Sequence, residues 1–386
     1  MSIQVLQPKF RVEETLNSLK EVMENKWTGM GYKTVEMEEA WKDYTGFSHA
    51  HFVNSGTSAL HLALSVFKEQ YGWDNDTEIL STPLTFVSTN HVILYENMKP
   101  VFVDVDDTLC MNPTSIESKL TSNTKALIYV GLGGNTGNYL EVKKICEKYN
   151  LKLILDAAHM AGTQVREMSP EGSGFTSWHV GKFADASCWS FQAVKNLPTA
   201  DSGMVCFRDS SNDALARKLS WMGIDKDTFS RTLPDGSYKW KYDVPYLGYK
   251  YNGNSIMAAM ALVSLKYLDR DNQTRNEIAT YYDKQFENSN VQKVNIPWQC
   301  YKNSRHLYQI LVPRDRRDFI IDDMYDNGYF PGVHYITNTK YKMYKNQDRF
   351  TKKASEYSDR LISMPIHLNM SIEDAGNAAE IVRRFV

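Results

Sequence analysis

Short apolar, β-branched runs recur between helical stretches over most of this chain, and that alternation constrains the fold more than any other feature of the sequence. PVFVDV (100–105), ALIYV (126–130), KLILD (152–156), ASCWSF (186–191) and GMVCF (203–207) read as strands. Between them TSALHLALSVFKEQ (57–70) and YLEVKKICEKY (139–149) read as helices, the first begun by a Ser-Gly-Thr that can cap it. Strand and helix in alternation specify an α/β domain with a mostly parallel sheet and helices on its faces. After Asn254 the pattern changes to long helical periodicity, SIMAAMALVSLKYLDRD then TRNEIATYYDKQFEN, followed by a strand, HLYQILV (306–312), and a final helix near 372–384. The reading is a large domain over 1–254 and a smaller α+β domain over 255–386, packed together because no low-complexity linker or repeat separates them.

The bulk numbers exclude several classes. At 386 residues, 42% hydrophobic and 23% charged, the chain can bury a sizeable core, and a formal net charge of -2 gives no electrostatic reason to expect nucleic acid. Its five cysteines are scattered and contain no C-x-x-C pair, which fits a reducing cytoplasm rather than a disulfide framework or a zinc knuckle. No run reaches the roughly 18 apolar residues of a membrane span, and the N-terminus lacks a basic start with a long apolar stretch, so a cytoplasmic location is expected. The pair His49-Ala-His51 has no third ligand in view and is read as strand decoration, so no metal is expected.

Two glycine-containing turns invite a phosphate. ALIYVGLGGNTGNYLEVKKICEKYNLKLILD reads strand, turn, helix, strand and acid, close to a dinucleotide-binding unit, but its glycines at 131, 133, 134 and 137 miss the G-x-G-x-x-G spacing by one residue. A crossover turn is the plainer reading. Asn54-Ser55-Gly56-Thr57-Ser58 directly precedes a helix, where exposed N–H groups and the positive end of the helix dipole make an anion site, or simply an N-cap.

The sharpest question is Lys195, which ends the apolar run CWSFQAVK; lysine is rarely buried without a partner. Asp156 ends the strand LILD, where a polar side chain at the carboxyl end of a parallel strand faces the ligand crevice, and His159 follows three residues later. A turn for phosphate, a strand-end carboxylate, a nearby polar donor and a buried lysine are together what pyridoxal phosphate needs. The lysine forms a Schiff base, the carboxylate keeps the pyridine nitrogen protonated, and the turn holds the phosphate.

Five ordered segments carry a resemblance: Asn54-Ser55-Gly56-Thr57-Ser58-Ala59-Leu60, Thr82-Pro83-Leu84-Thr85-Phe86, Asp156-Ala157-Ala158-His159, Ser190-Phe191 through Lys195-Asn196, and Gly248-Tyr249-Lys250-Tyr251-Asn252. In that order they resemble the DegT-type sugar aminotransferases, fold-type I pyridoxal phosphate enzymes, from about Trp27 to the Ser363-Met364-Pro365-Ile366-His367 segment. The resemblance implies that Lys195 is the Schiff-base lysine, Asp156 the pyridinium partner and His159 the contact to the cofactor's phenolic oxygen. It implies that Phe86 stacks on the ring, that Gly56, Thr57 and Ser190 contact the phosphate, and that Asn252 reaches the phosphate of a neighbouring subunit. A homodimer with its site at the interface follows. Trp27, Thr28, His334 and Tyr335 match segments beside the substrate.

The sequence departs from the family pattern in three places: Asp201-Ser202-Gly203 after the lysine, Ile336-Thr337 after His-Tyr, and the glycine-rich Leu132-Gly133-Gly134. What the resemblance implies is transfer of an amino group from glutamate to a keto group, at C4, of a nucleotide-linked keto sugar. The segment from Arg217 to Arg231 resembles the loop of enzymes that aminate C4, and its basic residues could meet a diphosphate or form a solvated face. The rivals are a pyridoxal phosphate-dependent dehydratase, a nicotinamide oxidoreductase using the 131–137 turn, and a non-catalytic regulator. A dehydratase of this family carries histidine in place of the lysine, which Lys195 argues against.

Overall fold

The strands Thr124–Val130, Lys152–Asp156, Ala186–Ser190 and Gly203–Phe207 are buried over most of their length, as a sheet covered on both faces requires. The structure is a computed structural model that describes residues 2–169, 172, 174–225 and 242–386. Its central sheet has seven strands in the order His51–Val53, Gly203–Phe207, Ala186–Ser190, Lys152–Asp156, Thr124–Val130, Glu78–Ser81, Lys99–Phe102. All neighbours pair in parallel except Gly203–Phe207, which runs antiparallel to both of its partners.

The period of two along each strand divides the sheet's side chains between two cores. Leu127, Tyr129, Leu153, Leu155, Trp189 and Met204 pack on one face with Met37, Trp41, Tyr139 and Ala258. Ala126, Ile128, Ile154, Cys188 and Val205 pack on the other against Leu62, Ala63, Val66 and Phe67 of the helix Gly56–Tyr71. Ser55 caps that helix, its side chain accepting from the Ser58 N–H.

The later part of the chain builds a third core, from Ile278, Tyr282, Ile310, Met324, Met364, Ala378 and their neighbours, around the antiparallel strands Gln292–Lys293, Tyr308–Leu311 and Leu361–Met364. Ile3 joins this core through the strand Ile3–Gln4, which pairs in parallel with Tyr329–Phe330. We propose that the chain divides into two folding units near residue 254.

The expected helices hold their places with one shift. Ser255–Leu265 ends earlier and Leu268–Gln285 starts earlier than periodicity suggests. The break falls at Lys266 and Tyr267, both of which bond to Glu14, with the Arg11 guanidinium 4.3 Å from the Tyr267 ring centroid. A second small sheet, Gln164–Met168 with Phe175–His179 and Cys300–Lys302, is absent from the sequence reading. Among the described residues no helix is long and apolar enough to cross a membrane.

Candidate active site

The carboxyl ends of the parallel strands open on one cavity of about 430 Å³, within the roughly 300–1,000 Å³ usual for small-molecule sites. Val130 and Gly131, Asp156 and Ser190 reach it from three adjacent strand ends, Thr85, Phe86 and Ser88 from the segment after a fourth, and Ser55, Gly56 and Thr57 from the start of the buried helix. Lys195 and His159 complete the constellation expected from the sequence. His334 and Tyr335 enter from the C-terminal region.

Lys195 is partly exposed and lines this crevice together with Asp156 and His159. Burial disfavours its ammonium and pulls the pKa down to about 8, against the attraction of Asp156. Asp156 is 6% exposed; one oxygen accepts from Thr89 Oγ1 at 2.7 Å and the other from the Ala158 N–H at 3.2 Å. Burial raises its carboxyl above the ordinary range, while those two donors and the Lys195 charge work the other way. Thr85 Oγ1 lies 2.9 Å from Thr89 Oγ1 and extends the chain of hydroxyls behind the carboxylate.

His159 is held as a neutral imidazole, its pKa lowered well below the ordinary value by burial and then by Lys195 and His334. The Gly133 N–H donates to Nδ1 at 3.2 Å, so the ring's single proton sits on Nε2, where it is offered to the Tyr335 hydroxyl at 3.2 Å. His334 is fixed by Ser363 Oγ at 3.0 Å from Nδ1 and by Gln309 Nε2, which donates to its carbonyl at 2.5 Å. Burial, with Lys195 adding to it, pushes the His334 pKa down to about 4.

This donor set fits pyridoxal phosphate. An amine of lowered pKa faces a buried carboxylate across the cavity lining. Phe86 leaves an aromatic side chain 55% exposed on the wall, ready to be covered by a planar ring. At the helix start, a Cβ on Gly56 would stand 2.7 Å from Ser190 Cβ, so only glycine lets the helix N-terminus pack against Ser190 at the cavity wall, where the first N–H groups of a helix favour an anion.

Not every expected residue comes to the cavity of its own chain. Trp27 donates its Nε1–H to the Met30 carbonyl, and the Thr28 carbonyl accepts from the Ser255 N–H. Asn252 donates to the Gly253 carbonyl and bridges to Val53. Conversely Leu6, Gln192, Val194 and His306 line the cavity without having been singled out, and Asp201, noted only as a departure from the family pattern, lines it too. His306 belongs to a segment read only as a strand, and nothing local marks it. His51 is bound to Glu38 and Ser220 and buried. Arg217 is engaged by Glu38, Asp213 and the Ala50 carbonyl rather than free for a diphosphate, and 226–231 of its segment lie outside the described residues. The departure at Ser202 is absorbed, its hydroxyl buried 2.8 Å from Thr199 Oγ1.

Known proteins resemble this one along their whole length. The spore coat polysaccharide biosynthesis protein SpsC of Bacillus subtilis is 30% identical, over 97% of this chain and 95% of its own. PseC of Helicobacter pylori, an aminotransferase involved in the biosynthesis of pseudoaminic acid, superposes with a TM-score of 0.88 at 27% identity, covering 100% of this chain and 99% of its own. Spr1654 of Streptococcus pneumoniae, solved in a PLP form, gives 0.86 at 26% identity, over 100% and 98%. Residues 10–383 match the family as a whole, and the chain belongs to the DegT/DnrJ/EryC1/StrS aminotransferase family, with pyridoxal phosphate as its cofactor.

Proposed function

We propose that the protein transfers the amino group of glutamate to the C4 keto group of a nucleotide-linked keto sugar, working as a cytoplasmic homodimer. The observation that carries the reading is Lys195, an amine of lowered pKa set in one cavity with Asp156 and His159. Pyridoxal phosphate, when bound, supplies the electron sink that allows the C–H bond beside an amine to break. Lys195 Nζ would hold it and, once displaced by substrate, would move a proton from the amine-bearing substrate carbon to the cofactor's C4′, and from C4′ to the sugar carbon in the other half-reaction, a task suited to an amine near its pKa at working pH. Asp156 would hold a proton on the ring nitrogen, backed by Thr89. His159 would offer its Nε2–H to the phenolic oxygen, in the tautomer that Gly133 sets. Phe86 would cover one ring face, and Gly56, Thr57 and Ser190 would bind the phosphate.

The sugar reading is supported by the family and by the relatives' part in sugar-polymer and pseudoaminic acid biosynthesis. C4 rests on the likeness of the segment beginning at Arg217. Support for a homodimer comes from Trp27, Thr28 and Asn252, which miss their own chain's cavity, and from Met222, Val244 and Leu247, exposed by 50%, 52% and 94%. Four buried, unpaired thiols fit a reducing compartment. The test offers the holoenzyme glutamate with a panel of nucleoside-diphosphate 4-keto-6-deoxyhexoses and assays 2-oxoglutarate and amino sugar together. Equimolar formation of both bears the proposal out; 2-oxoglutarate with no amino sugar from any member contradicts the acceptor.

A further inference from the structure

His159 has a second imidazole against it. The His306 ring centroid lies 4.3 Å from that of His159, and His306 is 1% exposed while lining the same cavity. Its protonation is fixed by a chain of amides that begins at a carbonyl. Asn272 Nδ2 donates to the Ala161 carbonyl at 2.8 Å, which leaves Asn272 Oδ1 to accept from Asn196 Nδ2 at 2.6 Å. Asn196 Nδ2 also donates to the Ser304 carbonyl at 2.7 Å, so Asn196 Oδ1 is the atom 2.9 Å from His306 Nδ1. An amide oxygen only accepts, and Nδ1 must therefore carry the proton.

The ring is neutral, because burial and the charges of Lys195 and Arg275 disfavour a second proton. Nε2 is then a bare lone pair. It has no hydrogen-bond partner among the described residues, and its ring lines the cavity. The two adjacent imidazoles, tilted 38° to each other, thus stand in opposite tautomers: His159 offers an N–H, and His306 offers an acceptor.

A locked acceptor selects its ligand. It repels carboxylate and carbonyl oxygens, which have only lone pairs to present, and it takes an O–H. We propose that His306 is a specificity-determining residue whose Nε2 accepts a hydrogen bond from a hydroxyl of the keto sugar; this rests on the aminotransferase reading above. A buried acceptor of this kind discriminates strongly against an analogue lacking the hydroxyl, because the lone pair is then left unpaired.

The experiment measures the two half-reactions separately, by absorbance, for the wild-type holoenzyme, His306→Leu and His306→Gln, and records histidine ¹⁵N shifts of the wild type. The expected result is a loss of roughly 10- to 100-fold in kcat/KM for the sugar half-reaction of His306→Leu, seen mainly in KM, and at least tenfold larger than any loss with glutamate. His306→Gln, which retains an acceptor, recovers most of it. The ¹⁵N shifts should show a histidine protonated on Nδ1 and bare on Nε2, in addition to His179, whose Nδ1 donates to the Val180 carbonyl and whose Nε2 accepts from the Gly162 N–H, and only the former signal should be lost in His306→Gln. A wild type that responds to glutamate while His306→Leu handles the sugar normally overturns this inference alone, as does an Nε2–H tautomer for His306. A wild type that never responds to glutamate overturns the aminotransferase reading and the sugar assignment with it.

Discussion

The backbone N–H of Gly133 donates to Nδ1 of His159 at 3.2 Å, across 26 positions of sequence. That bond accounts for the glycine-rich turn Leu132-Gly133-Gly134, which sequence reasoning left without a physical reason. Gly133 has φ +66°, and a Cβ there would meet Gln309 Oε1 at 3.0 Å and Leu307 Cβ at 3.3 Å. The turn aims a main-chain donor at the imidazole, and a side chain in its place would crowd Gln309 and Leu307 on a strained backbone.

Gly133→Ala is therefore expected to lower stability by about 1–2 kcal/mol, the cost of a left-handed backbone for a residue with a Cβ. Cofactor affinity should fall with it as His159 loses its fixed tautomer. Urea denaturation of the apoprotein and a pyridoxal phosphate titration check the two effects, and an unchanged midpoint contradicts the geometry.

The amine of Lys195 has a pKa of about 8 against 10.5 for an ordinary lysine. The rate at which the apoprotein develops the near-visible absorbance of lysine-bound cofactor should rise with pH through about 8 and level off above it. Stability follows the same sign. The unfolded chain binds this proton more tightly between about 8 and 10.5, so the apoprotein gains stability as pH rises through that window and loses that gain below it, where the ammonium is held in a desolvated site. A rate still climbing steeply at pH 10 would mean an ordinary lysine.

Thr89→Val removes the 2.7 Å donor to Asp156. A hydrogen bond to a charged group contributes roughly 1.5–3 kcal/mol, so kcat is expected to fall about 10- to 100-fold, with Thr89→Ser recovering most of it. Steady-state kinetics of the three proteins decide the point; equal kcat values would remove Thr89 from the account.

Gly56→Ala places its Cβ 2.7 Å from Ser190 Cβ and 3.2 Å from Ser190 Cα, which forces the helix start away from the cavity. Affinity for pyridoxal phosphate should drop at least tenfold, while affinity for pyridoxal, which has no phosphate, changes much less. Parallel equilibrium titrations test this, and equal losses for both ligands would move the phosphate elsewhere.

Asp156, His159 and Lys195 were legible because each sits at or just beyond the end of a strand whose apolar pattern is local and strong. The strand ends then dictate the crevice. His306 was not legible, since it reaches the cavity only by the packing of a segment 147 positions beyond His159, and its partners are amides with no motif. The Gly133 donor is main chain, which leaves no signature except the glycine itself. Periodicity also missed the helix break at Lys266, because the ties to Glu14 that set it come from some 250 positions away.

The central claim, that Lys195 carries pyridoxal phosphate and passes an amino group from glutamate, is tested most directly by one absorbance experiment. Purified protein with added pyridoxal phosphate is recorded before and after glutamate, beside Lys195→Ala. The account predicts a near-visible band that glutamate shifts to that of the pyridoxamine form, with no lysine-bound band in the variant. A wild-type band that glutamate leaves untouched, or one that persists unchanged in Lys195→Ala, contradicts it.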